Sequence, residues 1–110
     1  MKMKFAETFE LLVNGHKTCT SRVPAQKWYD WYKDVNMEPK IVQAEGLADD
    51  ESTPIKLLSC TVMKLGYVKQ NLYWQEGCSS PEAFQNLWES LHKTFNPELL
   101  VCVIFFTKTC

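Results

Sequence analysis

The chain has 110 residues, of which 45% are hydrophobic, 13% aromatic and 23% charged, and its formal net charge is −1. This apolar content is too high for a disordered chain, and the balanced charge excludes a histone-like protein that holds nucleic acid through bulk positive charge. We therefore expect residues 1–110 to form one domain with its own core, and any nucleic-acid contact to be local.

The cysteines are five, an odd number without paired spacing: Cys19, Cys60, Cys78, Cys102 and Cys110. With only two histidines, this composition predicts reduced thiols, no metal site and no cofactor. Acidic residues interrupt the N-terminal apolar stretch, unlike a secretory signal, and the longest apolar run, residues 99–106, is far shorter than the about 20 residues of a membrane span. We expect a cytoplasmic protein that does not enter a membrane.

The first third of the chain predicts a helix, a strand and an aromatic segment. Apolar residues recur at steps of three and four over residues 5–14, which is typical of a short amphipathic helix that ends before Gly15. Residues 18–23, which include the β-branched Thr18, Thr20 and Val23, predict a strand that stops at Pro24. Residues 28–32 fit either a short helix over the core or a platform on which nucleic-acid bases stack.

The middle of the chain contains less periodic sequence. Residues 34–54 include two prolines, Gly46 and an acidic run, so we expect mostly loop, with Ile41 and Val42 as the only strand-like pair. The acidic run would repel phosphate, so a polyanion would have to approach another side of the molecule. Residues 55–68 predict one long strand, or two strands with a break near Gly66.

The last third carries the clearest helix signal. Ser79 or Ser80 can cap this helix and Pro81 suits its first turn. Its hydrophobic residues form one stripe: Phe84, Leu87, Trp88, Leu91 and Phe95. Residues 99–106 then predict a buried strand in the centre of a sheet. The order of elements predicts an α+β fold, a curled mixed sheet that forms a small β-barrel with flanking helices.

The segment GHKTCTSR (15–22) gathers possible ligand-binding residues where a helix gives way to a strand. It contains Lys17, Thr20 and Arg22, the chain's single arginine, and such a turn can direct all three at one ligand. In the simpler interpretation Lys17 is solvated, the threonines only favour a strand, and Arg22 pairs with a surface acid. Glu76 favours a site, because it lies among aromatic residues without an obvious packing role and could face the segment across a pocket.

These segments resemble the ASCH domain family. GHKTCTSR is similar to its G-x-K-T-x-T-x-R signature, and QEGCSSPEAFQNLW followed by LLVCVIFF is similar to its E-G-x-x-S-x-E-x-F-x-x-x-W segment and closing hydrophobic strand. The resemblance implies a PUA-like β-barrel with flanking helices and a cleft that takes a nucleoside, a nucleotide or single-stranded RNA. It also implies that Lys17, Thr20, Arg22 and Glu76 line this cleft. Trp74 would stack on the bound base, or pack as a half-buried core residue.

The resemblance leaves two functions open. Some small members of the family are amidohydrolases that deacetylate N4-acetylcytidine with a lysine, a threonine three residues later and a distant glutamate, which here are Lys17, Thr20 and Glu76. In that mechanism the lysine takes the threonine proton, and Arg22 or turn amides stabilise the oxyanion. In a binding module, Lys17 and Arg22 would instead hold phosphate, while Thr20 and Glu76 read the edge of a base.

We take the nucleotide- or RNA-binding domain as the main prediction and the amidohydrolase as its alternative. Two further hypotheses come from other features of the sequence. Cys19 could act as a nucleophile, although a cysteine in a strand is usually a small buried hydrophobic residue. The chain could also be an interaction domain without a pocket, in which residues 28–32 form an exposed interface.

Overall fold

The structure, a computed structural model, describes residues 2–6 and 8–109. Helices and strands are mixed along this part of the chain. In order they are β1 (Lys2–Ala6), α1 (Phe9–Val13), β2 (Cys19–Arg22), α2 (Ala25–Tyr32), a 3-10 turn (Lys33–Asn36), β3 (Lys40–Gly46), β4 (Ser52–Lys64), α3 (Leu65–Asn71), α4 (Pro81–His92) and β5 (Leu100–Lys108).

One mixed sheet contains the five described strands in the order β1-β3-β4-β5-β2. β1 runs parallel to β3, and the other neighbouring strands are antiparallel. The longest ladder joins the 13-residue β4 to β5, and its register shifts between Leu57 and Ser59. The sheet curls into a half-barrel flanked by helices, which confirms the predicted α+β fold.

The sheet buries hydrophobic residues on both faces, and β5 contributes to both. Cys102, Ile104 and Phe106 belong to one cluster, whereas Val101 and Val103 belong to the other. This alternation follows from the two-residue period of a strand. α2 covers the first cluster, and α3 and α4 cover the second. The predicted strand buried on both faces is therefore confirmed, although β4 and not β5 is the middle strand of the sheet.

The helix predicted over residues 5–14 is wrong at its start. Phe5 lies in β1, and α1 begins only at Phe9. Met3 and Phe5 are buried while Lys2 and Lys4 are exposed, which is the two-residue alternation of a strand. The four-residue step from Phe5 to Phe9 fits a helix only by coincidence.

The loop predicted over residues 34–54 is also wrong. The seven-residue β3 occupies its middle, with Val42 and Ala44 buried, and β4 already begins at Ser52. β3 forms because β1 and β4 pair with it on either side. Further along, the strand predicted over residues 55–68 ends at Lys64. The helix α3 begins at the next residue, Leu65, so Gly66 lies in a helix.

The candidate functional site

A cavity of about 250 Å³ opens beside β2 and α4. All the polar or charged side chains that are buried among the described residues line it: Thr8, Lys17, Thr20 and Glu76. Its other wall is apolar and comes from α4, through Phe84, Leu87, Trp88 and Leu91. A pocket with one polar end and one apolar wall is typical of small-molecule sites.

Main-chain hydrogen bonds bring the two halves of the site together. The amides of His16 and Lys17 donate to the carbonyl of Leu11, which ties the turn to α1. The next two amides, those of residues 18 and 19, donate to the carbonyl of Gln75 at 2.7 and 3.0 Å. These bonds place Lys17 beside Glu76, although 59 residues separate them.

Gly77 allows this approach. Its φ is +93°, a conformation that side-chain-bearing residues rarely adopt. A Cβ at Gly77 would lie 3.1 Å from Leu11 Cδ1 and 3.5 Å from Lys17 Cβ. The glycine therefore lets the turn after Glu76 pack closely against the turn that carries Lys17.

Lys17 and Glu76 form a buried ion pair. Lys17 Nζ donates to Glu76 Oε1 at 2.7 Å and to the Glu76 carbonyl at 3.1 Å. Ser21 Oγ donates to the other carboxylate oxygen, Oε2, at 2.5 Å. The carboxylate thus has one side-chain donor on each oxygen, which fixes its orientation. The interpretation of Lys17 as a solvated turn residue is wrong, since its side chain is 4% exposed.

Arg22 forms a second group of contacts. Its Nε donates to Thr20 Oγ1 at 3.1 Å, and its Nη2 donates to the Lys4 carbonyl at 2.6 Å. The guanidinium also lies over the rings of Phe5 and Trp28, 5.0 and 5.2 Å from their centroids. Burial lowers the pKa of Arg22, with Glu76 acting in the opposite direction, but a guanidinium remains charged near neutral pH.

The structure brings Lys17, Thr20, Arg22 and Glu76 to one cavity and leaves Trp74 outside it. Trp74 is 66% exposed and lines a second cavity of about 110 Å³. Among residues 2–6 and 8–109, no hydrogen bond joins Lys17 to Thr20, the contact that a lysine base and a threonine nucleophile would use.

Sequence reasoning missed several lining residues. Thr8 is buried, and its hydroxyl donates to the Phe5 carbonyl at 2.8 Å. His92 is exposed, yet it stacks on Trp88 with ring centroids 4.0 Å apart at the edge of the cavity. Burial lowers the pKa of His92, so the imidazole is neutral at pH 7. The four-residue step from Trp88 to His92 could have indicated this stacking from the sequence, since it places both rings on one helix face.

The aromatic segment forms a helix, as one of its two interpretations predicted. Tyr32 of α2 is buried and Trp28 packs against the core, while Trp31 is exposed. Trp28 also lines the cavity beneath Arg22. The segment therefore covers the core and contributes one ring to the site.

Cys19 packs in the core. Its side chain is buried with Val103 and Leu65, and burial raises the pKa of its thiol, which keeps the sulfur protonated and a poor nucleophile. Cys60, Cys78 and Cys102 are likewise buried free thiols. Cys110 lies outside the described residues.

Within residues 2–6 and 8–109, no group of three or more His, Cys, Asp or Glu side chains could hold a metal ion. No helix in the same ranges has the length and apolar character needed to cross a membrane.

The fold is similar to two solved bacterial structures. The ASCH domain of Lactobacillus crispatus JV V101 aligns with a TM-score of 0.56 at 17% identity, over 91% of this chain and 69% of that one. An Enterococcus faecalis V583 protein assigned to the DUF984 family gives a TM-score of 0.56 at 18% identity, over 94% and 68%. No protein-family model and no curated protein matches the sequence. The predicted resemblance to ASCH domains is thus confirmed for the fold.

Proposed function

We propose that this ASCH-type fold binds a nucleoside, a nucleotide or single-stranded RNA in the 250 Å³ cavity. One observation carries the proposal, namely that every buried polar side chain of the described residues lines this cavity. Burying charged and polar groups costs free energy, and groups so buried around an open pocket are typical of ligand sites. The size, slightly below the roughly 300 Å³ of small drug-like sites, suits a single base with its sugar.

The chemistry of the lining residues supports both parts of such a ligand. Arg22 has five N–H donors, of which two are used by Thr20 and Lys4, so donors remain for a phosphate. A carboxylate accepts about four hydrogen bonds. Glu76 can therefore accept from a base edge in addition to Lys17 and Ser21. Trp88 and its neighbours on α4 offer an apolar wall for the base.

The observed contacts favour binding over turnover. Hydrolysis of N4-acetylcytidine would need a base that takes the proton of the Thr20 hydroxyl. That hydroxyl accepts a hydrogen bond from Arg22, while Lys17 donates to Glu76. We therefore propose a binding domain and keep deacetylation as an outcome that the experiment can reveal.

Calorimetric titration with the four ribonucleosides, their 5′-monophosphates and short single-stranded RNA tests the proposal. Arg22→Gln is expected to weaken nucleotide binding about tenfold or more, because it removes a charge-assisted hydrogen bond. Lys27→Gln is the matched control, since Lys27 also lies over an aromatic ring, Trp31, but does not line the cavity. Binding should be unchanged in this variant.

Two results would contradict the proposal. One is that no probe binds the wild-type protein; the other is that Arg22→Gln binds as tightly as the wild type. Incubation with N4-acetylcytidine, followed by ultraviolet absorbance, covers the alternative. Conversion that disappears in Thr20→Ala would replace the binding domain by the amidohydrolase.

A further inference from the structure

A second cavity is lined by a different set of residues. It measures about 110 Å³, and its lining includes Leu11, His16, Trp74, Gly77 and Ser79. Its largest side chain is the exposed indole of Trp74. None of these residues lines the larger cavity.

The two cavities are lined by residues that are neighbours in the chain. Lys17 and Glu76 line the first cavity, and their immediate neighbours His16 and Gly77 line the second. Because consecutive Cα atoms are about 3.8 Å apart, the main chain of the same two turns borders both cavities. α1 continues from one to the other as well, since Thr8 at its N-terminus lines the first and Leu11 the second.

The turn that carries Trp74 is held in place by its main chain. The Gly77 amide donates to the Trp74 carbonyl and the Cys78 amide to the Tyr73 carbonyl, both at 2.9 Å. The Glu76 amide donates in turn to the Leu72 carbonyl at 3.0 Å. The main chain that carries Trp74 is thus held in place, and the indole is 66% exposed, so its ring is available for stacking before any ligand binds.

We propose that Trp74 stacks a second base, so that the ligand is single-stranded RNA of at least two nucleotides. This inference rests on the proposed function. The first base occupies the larger cavity against Glu76 and α4, the strand crosses the ridge formed by the two turns, and the next base lies on Trp74 with His16 and Ser79 at its edges. Stacking on an aromatic side chain tolerates every base, so the second position adds affinity without strict sequence preference.

Calorimetry with two matched ligands for each base tests this inference. One is the nucleoside 3′-monophosphate, and the other is the dinucleoside monophosphate, which adds a second base to the same phosphate. The wild-type protein should bind the dinucleotide about tenfold more tightly, the gain expected from one stacked base. Trp74→Ala should remove this gain and leave mononucleotide affinity unchanged, whereas Trp74→Phe should keep most of it.

Trp31→Ala is the matched control. Trp31 is 55% exposed, similar to Trp74, but lines neither cavity, so its removal should alter neither ligand's affinity. If mononucleotides and nucleosides fail to bind, the proposed function fails and the second site fails with it. If they bind, but the dinucleotide gains nothing or Trp74→Ala keeps the gain, only the second site is overturned. Loss of mononucleotide binding in a folded Trp74→Ala protein would also overturn it.

Discussion

Two ion pairs of nearly equal length show how burial changes the role of a residue. Lys17 and Glu76 are 2.7 Å apart with side chains 4% and 5% exposed, whereas Lys64 and Glu98 are 2.8 Å apart with side chains 60% and 70% exposed. Charges buried in the protein have lost most of their hydration and depend on each other. Exposed charges remain hydrated, so their pairing contributes little to stability.

Glu76→Ala is therefore expected to lower the free energy of unfolding by about 3 kcal/mol or more, because it leaves a buried ammonium without its carboxylate. Glu98→Ala should have little effect, although it breaks a pair of the same length. Urea denaturation of both variants measures the difference. Equal losses in the two variants would contradict the buried role of Glu76.

The double variant Lys17→Met/Glu76→Leu separates stability from function. Replacing both charges by apolar side chains removes the uncompensated ion, so much of the lost stability should return. Ligand binding should not return, since the carboxylate that we propose to read the base edge is gone. A double variant that binds nucleotide like the wild type would remove Glu76 from the site.

Among the helices and strands, α4 illustrates what local sequence decides. The sequence leaves Ser79 and Ser80 as possible caps, and in the structure the hydroxyl of Ser80 accepts a hydrogen bond from the Ala83 amide at 3.0 Å. Pro81 then occupies the first helical position, where its missing N–H is not needed. Once started, the helix places Phe84 and Trp88 on its buried face, at the wall of the cavity.

Ser80→Ala is expected to destabilise the protein by about 1 kcal/mol, because it leaves the Ala83 amide without its acceptor. Ser79→Ala is the control, since Ser79 is exposed and lies one position before the cap. Thermal and urea unfolding of both variants checks the difference. A larger loss in Ser79→Ala would assign the cap to the wrong serine.

The elements that sequence predicted best are those with the longest signals. α4 repeats its stripe over three turns, and the first seven residues of β5 form an unbroken apolar run, so chance does not imitate them. β1 and α1 have five residues each, and a single step from Phe5 to Phe9 fits the wrong structure. β3 carries only modest apolar character, and its pairing with β1 and β4, which the sequence does not display, stabilises it.

At the scale of the whole molecule, the site depends on contacts between distant segments. The motif predicted that Lys17, Thr20, Arg22 and Glu76 share a cavity, and the four residues do line one cavity. It could not indicate that Lys17 pairs with Glu76 while Thr20 pairs with Arg22, since those pairings depend on how the two turns pack. Nor could it indicate that Trp74 faces the second cavity, although Trp74 lies only two residues before Glu76 in the same turn.

The charge at the larger cavity differs from the net charge of the whole chain. The formal net charge is −1, yet the described lining of the larger cavity includes Lys4, Lys17 and Arg22 against a single carboxylate, Glu76. Lys4 also pairs with Glu45 at 3.3 Å, which offsets part of its charge. Arg22 is thus the main cation left for a phosphate, and the surface as a whole does not attract a polyanion.

This distribution predicts a weak dependence of RNA binding on salt. Each phosphate neutralised on a single strand adds about −0.7 to the slope of log affinity against log salt, so one or two contacts give a slope between about −0.7 and about −1.4. Titrations of short single-stranded RNA from about 50 to about 200 mM salt measure this slope. Arg22→Gln should reduce its magnitude by about 0.7, the share of one phosphate, and Lys27→Gln should leave it unchanged. A slope of about −4 or steeper would indicate many phosphate contacts across the surface and would contradict a single cationic position at the cavity.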